Sequence, residues 1–528
     1  MTKPFQRFLF AMAALALLAV GIYVLIGPGG FGKKGESAEN SAARPWSTVG
    51  EGYRASQDIG SRKVALSSDD APAREGEVLV RFKDDAEYLD FLARAEKLGL
   101  KVLGRIDGLR TARLAIVDPE RWAATQEKEK GEFSPNYLVY VPDLPEGSIQ
   151  DGAVGFGADL LGWLGIDSDN SKWGTGVTVA ILDSGVVKHP GITANLTTLN
   201  LLGEGVVMDA GHGTGVASLI AGSSSQTPGL APSANLLSIA VVDASGVSDT
   251  FLVAQGIMEA VNGGAGVINV SLGSQGDSQA LRDAVAYARE RGVVIVASAG
   301  NNGVDSIAYP AAYEGVLAVG SVDARGEKLD FSNSGWALDV AAPGLELNVA
   351  WPGDQVAGFT GTSASAPIIS GAIAAAMSQY GISANQASAL VLANLNEAGA
   401  LGADTGYGGG ILDVGRVMSS STPGIVDLAV ANQSLSVNAS GGTIETIVQN
   451  RGTASIPAAS LTVTAAGKQT VVPVPALAPG ESASRTVRLG TAADYQKPGA
   501  TILSSVSVSE GSDAKPSNNS RTSTVQGK

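Results

Sequence analysis

The sequence predicts an α/β protein built on a mainly parallel sheet with helices on both faces, preceded by a small α+β module and followed by an all-β sandwich. Three observations lead there. Between Val177 and Ser321, short apolar runs alternate with helices rich in small residues, the pattern of a sheet buried on both faces. Ahead of them six elements follow one another in the order βαββαβ. Beyond Pro423, strands alternate apolar and polar residues between Gly, Pro and Asn turns.

In chain order, Lys3 and Arg7 precede an uninterrupted apolar run from Phe8 to Ile26, long enough to cross a bilayer as a helix. It has no polar face, which argues against a helix buried in a soluble domain. Gly27-Pro28-Gly29-Gly30 and then Lys33-Lys34 follow, not the small-residue site of a cleavable secretory peptide, so residues 1–30 read as an uncleaved membrane signal and anchor. The lysines nearly balance the N-terminal positive charges and set orientation only weakly. Gly27 to Gly32 fits the G-x-G-x-x-G spacing of a dinucleotide site, but no strand precedes it and no amphipathic helix follows, so the match is accidental. Residues 31–74, rich in Gly, Ser, Ala and charge without periodicity, read as a flexible tether.

The module at residues 75–142 reads as strand Glu77–Phe82, helix Asp85–Leu98, strands Lys101–Ile106 and Leu109–Val117, helix Pro119–Lys130 and strand Tyr137–Val141, a ferredoxin-like arrangement. Residues 151–420 hold the parallel strands, expected at Val177–Leu182, Leu236–Val242, Gly266–Val270, Val293–Ala297 and Leu317–Ser321. Residues 423–528 read as one immunoglobulin-like sandwich with strands at Leu435–Val437, Thr443–Val448, Ser460–Thr464, Ser484–Leu489 and Ile502–Val508.

Composition narrows the chemistry. Of a net charge of −15, almost all sits in residues 151–420, which carry 8 Lys+Arg against 24 Asp+Glu, so nucleic acid is excluded as a partner. With no cysteine, thiolate catalysis, disulfides and Cys-based zinc sites are excluded, and only His189 and His212 can supply an imidazole.

Four segments carry candidate chemistry. Val177 to Asp183 is a buried strand that delivers a carboxylate at its carboxyl end, although an isolated Asp there is more often a turn or cap residue. In Gly211-His212-Gly213-Thr214-Gly215, an imidazole opens a helix of small residues, where the helix dipole favours the neutral, basic form. His189, in a loop, lacks that setting. Gly361-Thr362-Ser363 sets a hydroxyl at another helix start, where a plain N-cap is the bland alternative. Asn301, in Ser298-Ala299-Gly300-Asn301-Asn302-Gly303, follows a strand and can present a fixed amide, although Asn-Asn-Gly alone is an ordinary turn. Together they supply what acyl transfer needs: a hydroxyl, a base to take its proton, a carboxylate to hold that base, and a donor for the developing oxyanion.

The ordered blocks AILDSG, GHGTGVA, ASAGNNG and GTSASAP resemble the subtilisin family of serine peptidases over about residues 170–418. The resemblance implies Asp183 as orienting acid, His212 as general base then acid, Ser363 as nucleophile and Asn301 as oxyanion donor. Departures are Gly215 at the family's usual second histidine and Thr360, Ala364, Ser365 and Ala366 around the serine, and none removes a reacting group. In the same family, substrate lies extended between two backbone segments, here similar to Val241–Gly246 and Ser271-Leu272-Gly273, with Ser298-Ala299-Gly300 as the second wall of the main side-chain pocket. Calcium is left open, because Ser223–Gly229 lacks a ligand set; no cofactor is required.

The βαββαβ module is similar to the inhibitory propeptide of such enzymes. This implies a zymogen that cuts itself between about Val141 and Gly155, with protein or peptide substrates and its own propeptide as partners. The terminal sandwich resembles CARDB-type domains, read equally as a binding module or a stabilising appendage. The alternative function is an inactive binding or adhesion protein on the same fold. The expected location is outside the cytoplasm, membrane-anchored, or secreted if the N-terminal segment is cleaved.

Overall fold

The computed structural model describes residues 71–524 apart from 145–146, 204, 439–440, 491–498 and 510. The expected anchor and all but the last four residues of the expected tether lie outside that set. Among the described residues, no helix is long and apolar enough to cross a membrane.

The N-terminal module folds from β1 (Glu77–Arg81), α1 (Asp85–Arg94), β2 (Leu100–Ile106), β3 (Thr111–Ile116), α2 (Pro119–Thr125) and β4 (Glu132–Ser134). Its antiparallel sheet has the order β2-β3-β1-β4, and both helices begin on an aspartate cap, Asp84 and Asp118. The expected strand Tyr137–Val141 is not part of this sheet. The three residues of β4 take that place beside β1, and β5 (Leu138–Tyr140) leaves the module to pair with β9 (Val247–Asp249) of the next domain. The chain just ahead of β1 also belongs to this structure: Ala73 bridges to Tyr137, and Leu138 N–H donates to Pro72 O at 2.8 Å.

Seven parallel strands form the central sheet in the order β13-β12-β11-β10-β6-β8-β7. They are β6 (Thr178–Asp183), β7 (Leu196–Asn200), β8 (Asn235–Ala240), β10 (Val267–Val270), β11 (Val294–Ser298), β12 (Val316–Val322) and β13 (Val340–Pro343). Their side chains divide by the two-residue period of a strand. Val179, Ile181, Val267, Val294 and Val296 enter one core, packed beneath α4 (Gly211–Ala221) and α7 (Thr362–Tyr380). Ala180, Leu182, Ile268, Ile295 and Ala297 enter the other, beneath α5 (Thr250–Asn262) and α6 (Gln279–Glu290). Each fully buried Val, Leu or Ile contributes about 1.5–3 kcal/mol. Around this sheet lie the short α3 (Leu160–Trp163), the hairpin β14 (Leu347–Trp351) and β15 (Gln355–Phe359), and helices α8 (Ala384–Ala393) and α9 (Val414–Ser419).

The C-terminal domain packs β16 (Leu428–Asn438), β17 (Gly441–Asn450) and β20 (Ser482–Arg488) against β18 (Ala459–Ala465), β19 (Lys468–Val474), β21 (Thr501–Val508) and β22 (Ser520–Thr524). It meets the loop after α8 mainly through neutral groups. Gln449 accepts from Glu397 N–H at 2.9 Å and donates to Leu395 O at 3.1 Å, and Asn432 donates to Gly399 O at 2.6 Å. Arg451 lies beneath, and burial lowers its pKa to about 10.

Candidate active site

Every candidate group sits at the carboxyl edge of the parallel sheet, where strands hand over to loops. β6 ends on Asp183, which is fully buried. Its carboxylate accepts from Ser184 N–H at 2.7 Å and faces Nδ1 of His212 with both oxygens, at 2.8 and 2.9 Å. That contact fixes the ring with its proton on Nδ1 and its basic lone pair on Nε2. The approach depends on Gly213, where a Cβ would lie 2.1 Å from Gly185 O. Phe359 closes the other side, its ring edge-on to the imidazole at 5.1 Å. His189 does not join them: its Nε2 donates to Gln355 O at 3.0 Å and its Nδ1 accepts from Gly191 N–H at 2.9 Å, so both nitrogens serve the backbone.

Ser363 is the second residue of α7 and is buried. Pro367, four residues on, cannot donate the helical hydrogen bond that would occupy the Ser363 carbonyl. Ser271 Oγ takes that place at 3.0 Å, itself accepting from Asn269 Nδ2 at 3.0 Å, and Ser370 Oγ donates to Asn269 Oδ1 at 3.0 Å. The Ser363 hydroxyl in turn donates to Ser271 O at 3.3 Å, so its hydrogen bond is not to the imidazole.

Asn301 is buried, and its amide orientation is set by Thr362, whose N–H and hydroxyl both donate to Oδ1, at 2.9 and 2.8 Å. The amide nitrogen is thereby turned outward, where it donates to Pro142 O at 2.8 Å. Thr362, which orients Asn301, is not among the groups the sequence singles out; its signal there is adjacency to Ser363.

Pro142 reaches this point because the chain from 138 to 142 lies along the cleft. β5 pairs antiparallel with β9, Tyr140 and Gly273 exchange backbone hydrogen bonds at 2.9 Å, and Val141 N–H donates to Gly246 O at 3.0 Å. Of the expected binding segments, Gly273 and Gly246 therefore touch this strand directly. Leu272 and Ala299 turn their side chains into the core instead, and the buried Ser298 hydroxyl has no partner among the described residues. A cavity of about 260 Å³ beside Tyr140 and Val141 is lined by His212, Ser184, Asp209, Val242, Asp243 and Trp351. Among the described residues no group of three or more His, Cys, Asp or Glu is placed to hold a metal ion.

The module grips the start of α5 in the same region. Asn136 Oδ1 accepts from Phe251 N–H at 3.2 Å and Tyr137 O from Thr250 N–H at 2.9 Å, satisfying donors that a helix start leaves open. Asp249, fully buried, pairs with Arg74 at 3.2 Å and Arg113 at 3.3 Å, and Arg81 pairs with Asp283.

A parallel sheet with a carboxylate–imidazole pair, a helix-start serine and a positioned asparagine at one edge defines a serine peptidase of the subtilisin type. Comparison with known proteins agrees, and the chain belongs to the subtilase family. The family model described as "Subtilase family" matches residues 174–410, and the CARDB model matches residues 425–522. The chain is 42% identical over 204 residues to subtilisin Savinase of Lederbergia lenta, covering 38% of this chain and 76% of that one. It is also 42% identical over 204 residues to an alkaline protease of Shouchella clausii, covering 38% of this chain and 54% of that one. In fold it is similar to the crystal structure of the epidermin leader peptide processing serine protease of Staphylococcus aureus, with TM-score 0.56 and 22% identity over 66% of this chain and 99% of that one.

Proposed function

We infer that this subtilisin-like serine endopeptidase is a self-processing zymogen, with Asp183, His212, Ser363 and Asn301 as its catalytic groups and Pro142–Asp143 as the first bond it cuts. The observation that carries the reading is the Pro142 carbonyl 2.8 Å from Asn301 Nδ2, on a strand paired through the cleft. Residues 75–142 then act as the inhibitory propeptide, 151–420 as the peptidase and 423–528 as the CARDB domain. Ser271, Gly273, Ser298 and Gly300 present substrate-binding backbone or small side chains, and Leu272 and Ala299 support them from the core.

The chemistry follows from the positions. His212 Nε2 takes the proton of Ser363 Oγ as that oxygen bonds to the Pro142 carbonyl carbon, and Asp183 steadies the imidazolium. The carbonyl oxygen becomes an oxyanion held by Asn301 Nδ2 and the Ser363 N–H; the asparagine donor is worth about 3–4 kcal/mol, a magnitude that belongs to subtilisin itself. Collapse breaks the Pro142–Asp143 C–N bond, His212 gives its proton to the Asp143 nitrogen, and water then releases Pro142 from the serine by the same steps. Later substrates, proteins and peptides, bind by adding a strand where β5 lies, through backbone contacts that read few side chains. Export, with residues 1–30 as anchor or as a removed signal, fits the extracellular work of such enzymes.

Ser363→Ala is expected to leave a full-length precursor on a denaturing gel, and the processed wild-type protein to take a fluorophosphonate label on Ser363. A processed Ser363→Ala protein, or no label, sinks this reading. The N-terminus of the mature protein tests the anchor and the cut together.

A further inference from the structure

Tyr140 and Gly273 donate to each other's carbonyls at 2.9 Å, which makes them a hydrogen-bonded pair of an antiparallel ladder. Such pairs recur at every second residue, so the next rung sets residue 142 opposite Ser271. An ordinary residue at 142 would donate its N–H to the Ser271 carbonyl. Pro142 has no N–H. The Ser271 carbonyl accepts the Ser363 hydroxyl instead, at 3.3 Å. The Pro142 carbonyl is already on Asn301, and the Ser363 backbone is pinned by Ser271 Oγ, so what remains to be set is the direction of the hydroxyl.

We propose that the Ser271 carbonyl is a positioning group that reads the residue before the scissile bond. An N–H there occupies the carbonyl and frees the Ser363 hydroxyl for His212; an imino residue leaves the hydroxyl held on Ser271. Pro142 therefore delays cleavage of the chain's own junction, and the precursor persists with its cleft filled. This rests on Ser363 as nucleophile and Pro142–Asp143 as the scissile bond. One hydrogen bond's worth of orientation corresponds to about a tenfold difference in rate.

The test follows conversion of the full chain by intact mass and N-terminal sequencing, in wild type, Pro142→Ala and Ser363→Ala. Pro142→Ala is expected to convert about tenfold faster than wild type, with Asp143 as the new N-terminus, while Ser363→Ala stays uncut. Conversion of Pro142→Ala at the wild-type rate or slower, or a different new N-terminus, overturns the positioning role but leaves self-processing standing. Conversion of Ser363→Ala overturns the underlying function instead. A second measurement avoids any dependence on folding of the variant precursor: mature enzyme is given peptides of the sequence 138–144 with proline, alanine or N-methylalanine at position 142. The alanine peptide is expected to show the higher kcat at similar KM, with N-methylalanine as slow as proline. If N-methylalanine is cleaved as fast as alanine, the missing N–H is not the cause and the proposal fails.

Discussion

The two domains that flank the peptidase hold it by different chemistry. On the N-terminal side three ion pairs, Asp249 with Arg74 and Arg113 and Arg81 with Asp283, and a strand laid through the cleft accompany an apolar patch of Leu79, Ile106 and Leu109. On the C-terminal side Gln449 and Asn432 bond backbone groups of the 395–399 loop, Arg416 donates to Arg451 O at 3.1 Å, and among the described residues one ion pair, Arg521 with Glu327, is added to these neutral contacts. Ion pairs open to solvent weaken with salt, whereas neutral hydrogen bonds between buried amides respond little to it. If the chain cuts itself as proposed, the more salt-sensitive contact is the one that has to be released.

The comparison can be tested from its most sensitive point downward. Asn301→Ala removes a side chain that touches Pro142 and, in the proposed chemistry, holds the oxyanion; processing is expected to slow about 10²–10³-fold, measured as precursor half-life. A smaller effect is expected from Asp249→Asn, which keeps the cap on Leu252 N–H but removes the charge facing two arginines. Breaking a buried pair costs about 3–5 kcal/mol. Here the arginine side chains are 22% and 18% exposed, so retention of the cut module in gel filtration should weaken only about ten- to a hundredfold. Equal retention in wild type and variant at all salt concentrations would break the ionic half of the comparison.

On the other side, Gln449→Ala leaves the Glu397 N–H without its partner, while Leu395 O keeps the Arg416 guanidinium, and a loss of about 1–3 kcal/mol in thermal unfolding is expected, unchanged by salt. The smallest change is expected at Glu397, whose carboxyl burial pushes above the usual carboxylate range. Its raised pKa means a contribution to stability that is present at acid pH and is lost as pH rises through the folded value. Glu397→Gln should therefore match wild type near pH 4 and melt slightly higher near pH 8, and the reverse order would rule out a burial cost.

Sequence alone singled out the candidate groups by their position in an element: Asp183 at a strand end, His212 and Ser363 at helix starts, Asn301 after a strand. It did not expose Thr362, because its task of turning the Asn301 amide exists only once two distant segments meet. The central strands were legible as apolar runs. β7 was not, since its Leu-Thr-Thr-Leu-Asn lies mostly exposed at the sheet edge; nor was β13, four residues ending in proline. β4 is too short to show a period, and its place was given to the longer apolar run of residues 137–141, which the peptidase claims by pairing. In the C-terminal domain, β19 carries Pro473 and β22 is a polar edge strand, and neither shows an alternation strong enough to read.

Pro72 and Ala73 run beside residues 137 and 138, so if Pro142–Asp143 is cut as proposed, the chain up to Pro142 parts from the peptidase as one covalent piece. Should residues 8–26 be embedded in a bilayer as well, that piece, the proposed inhibitor, is moored there and the protease is not. Escape of the enzyme from the surface and escape from its inhibitor then become a single event, so free protease in the surrounding fluid reports unbinding of the module directly.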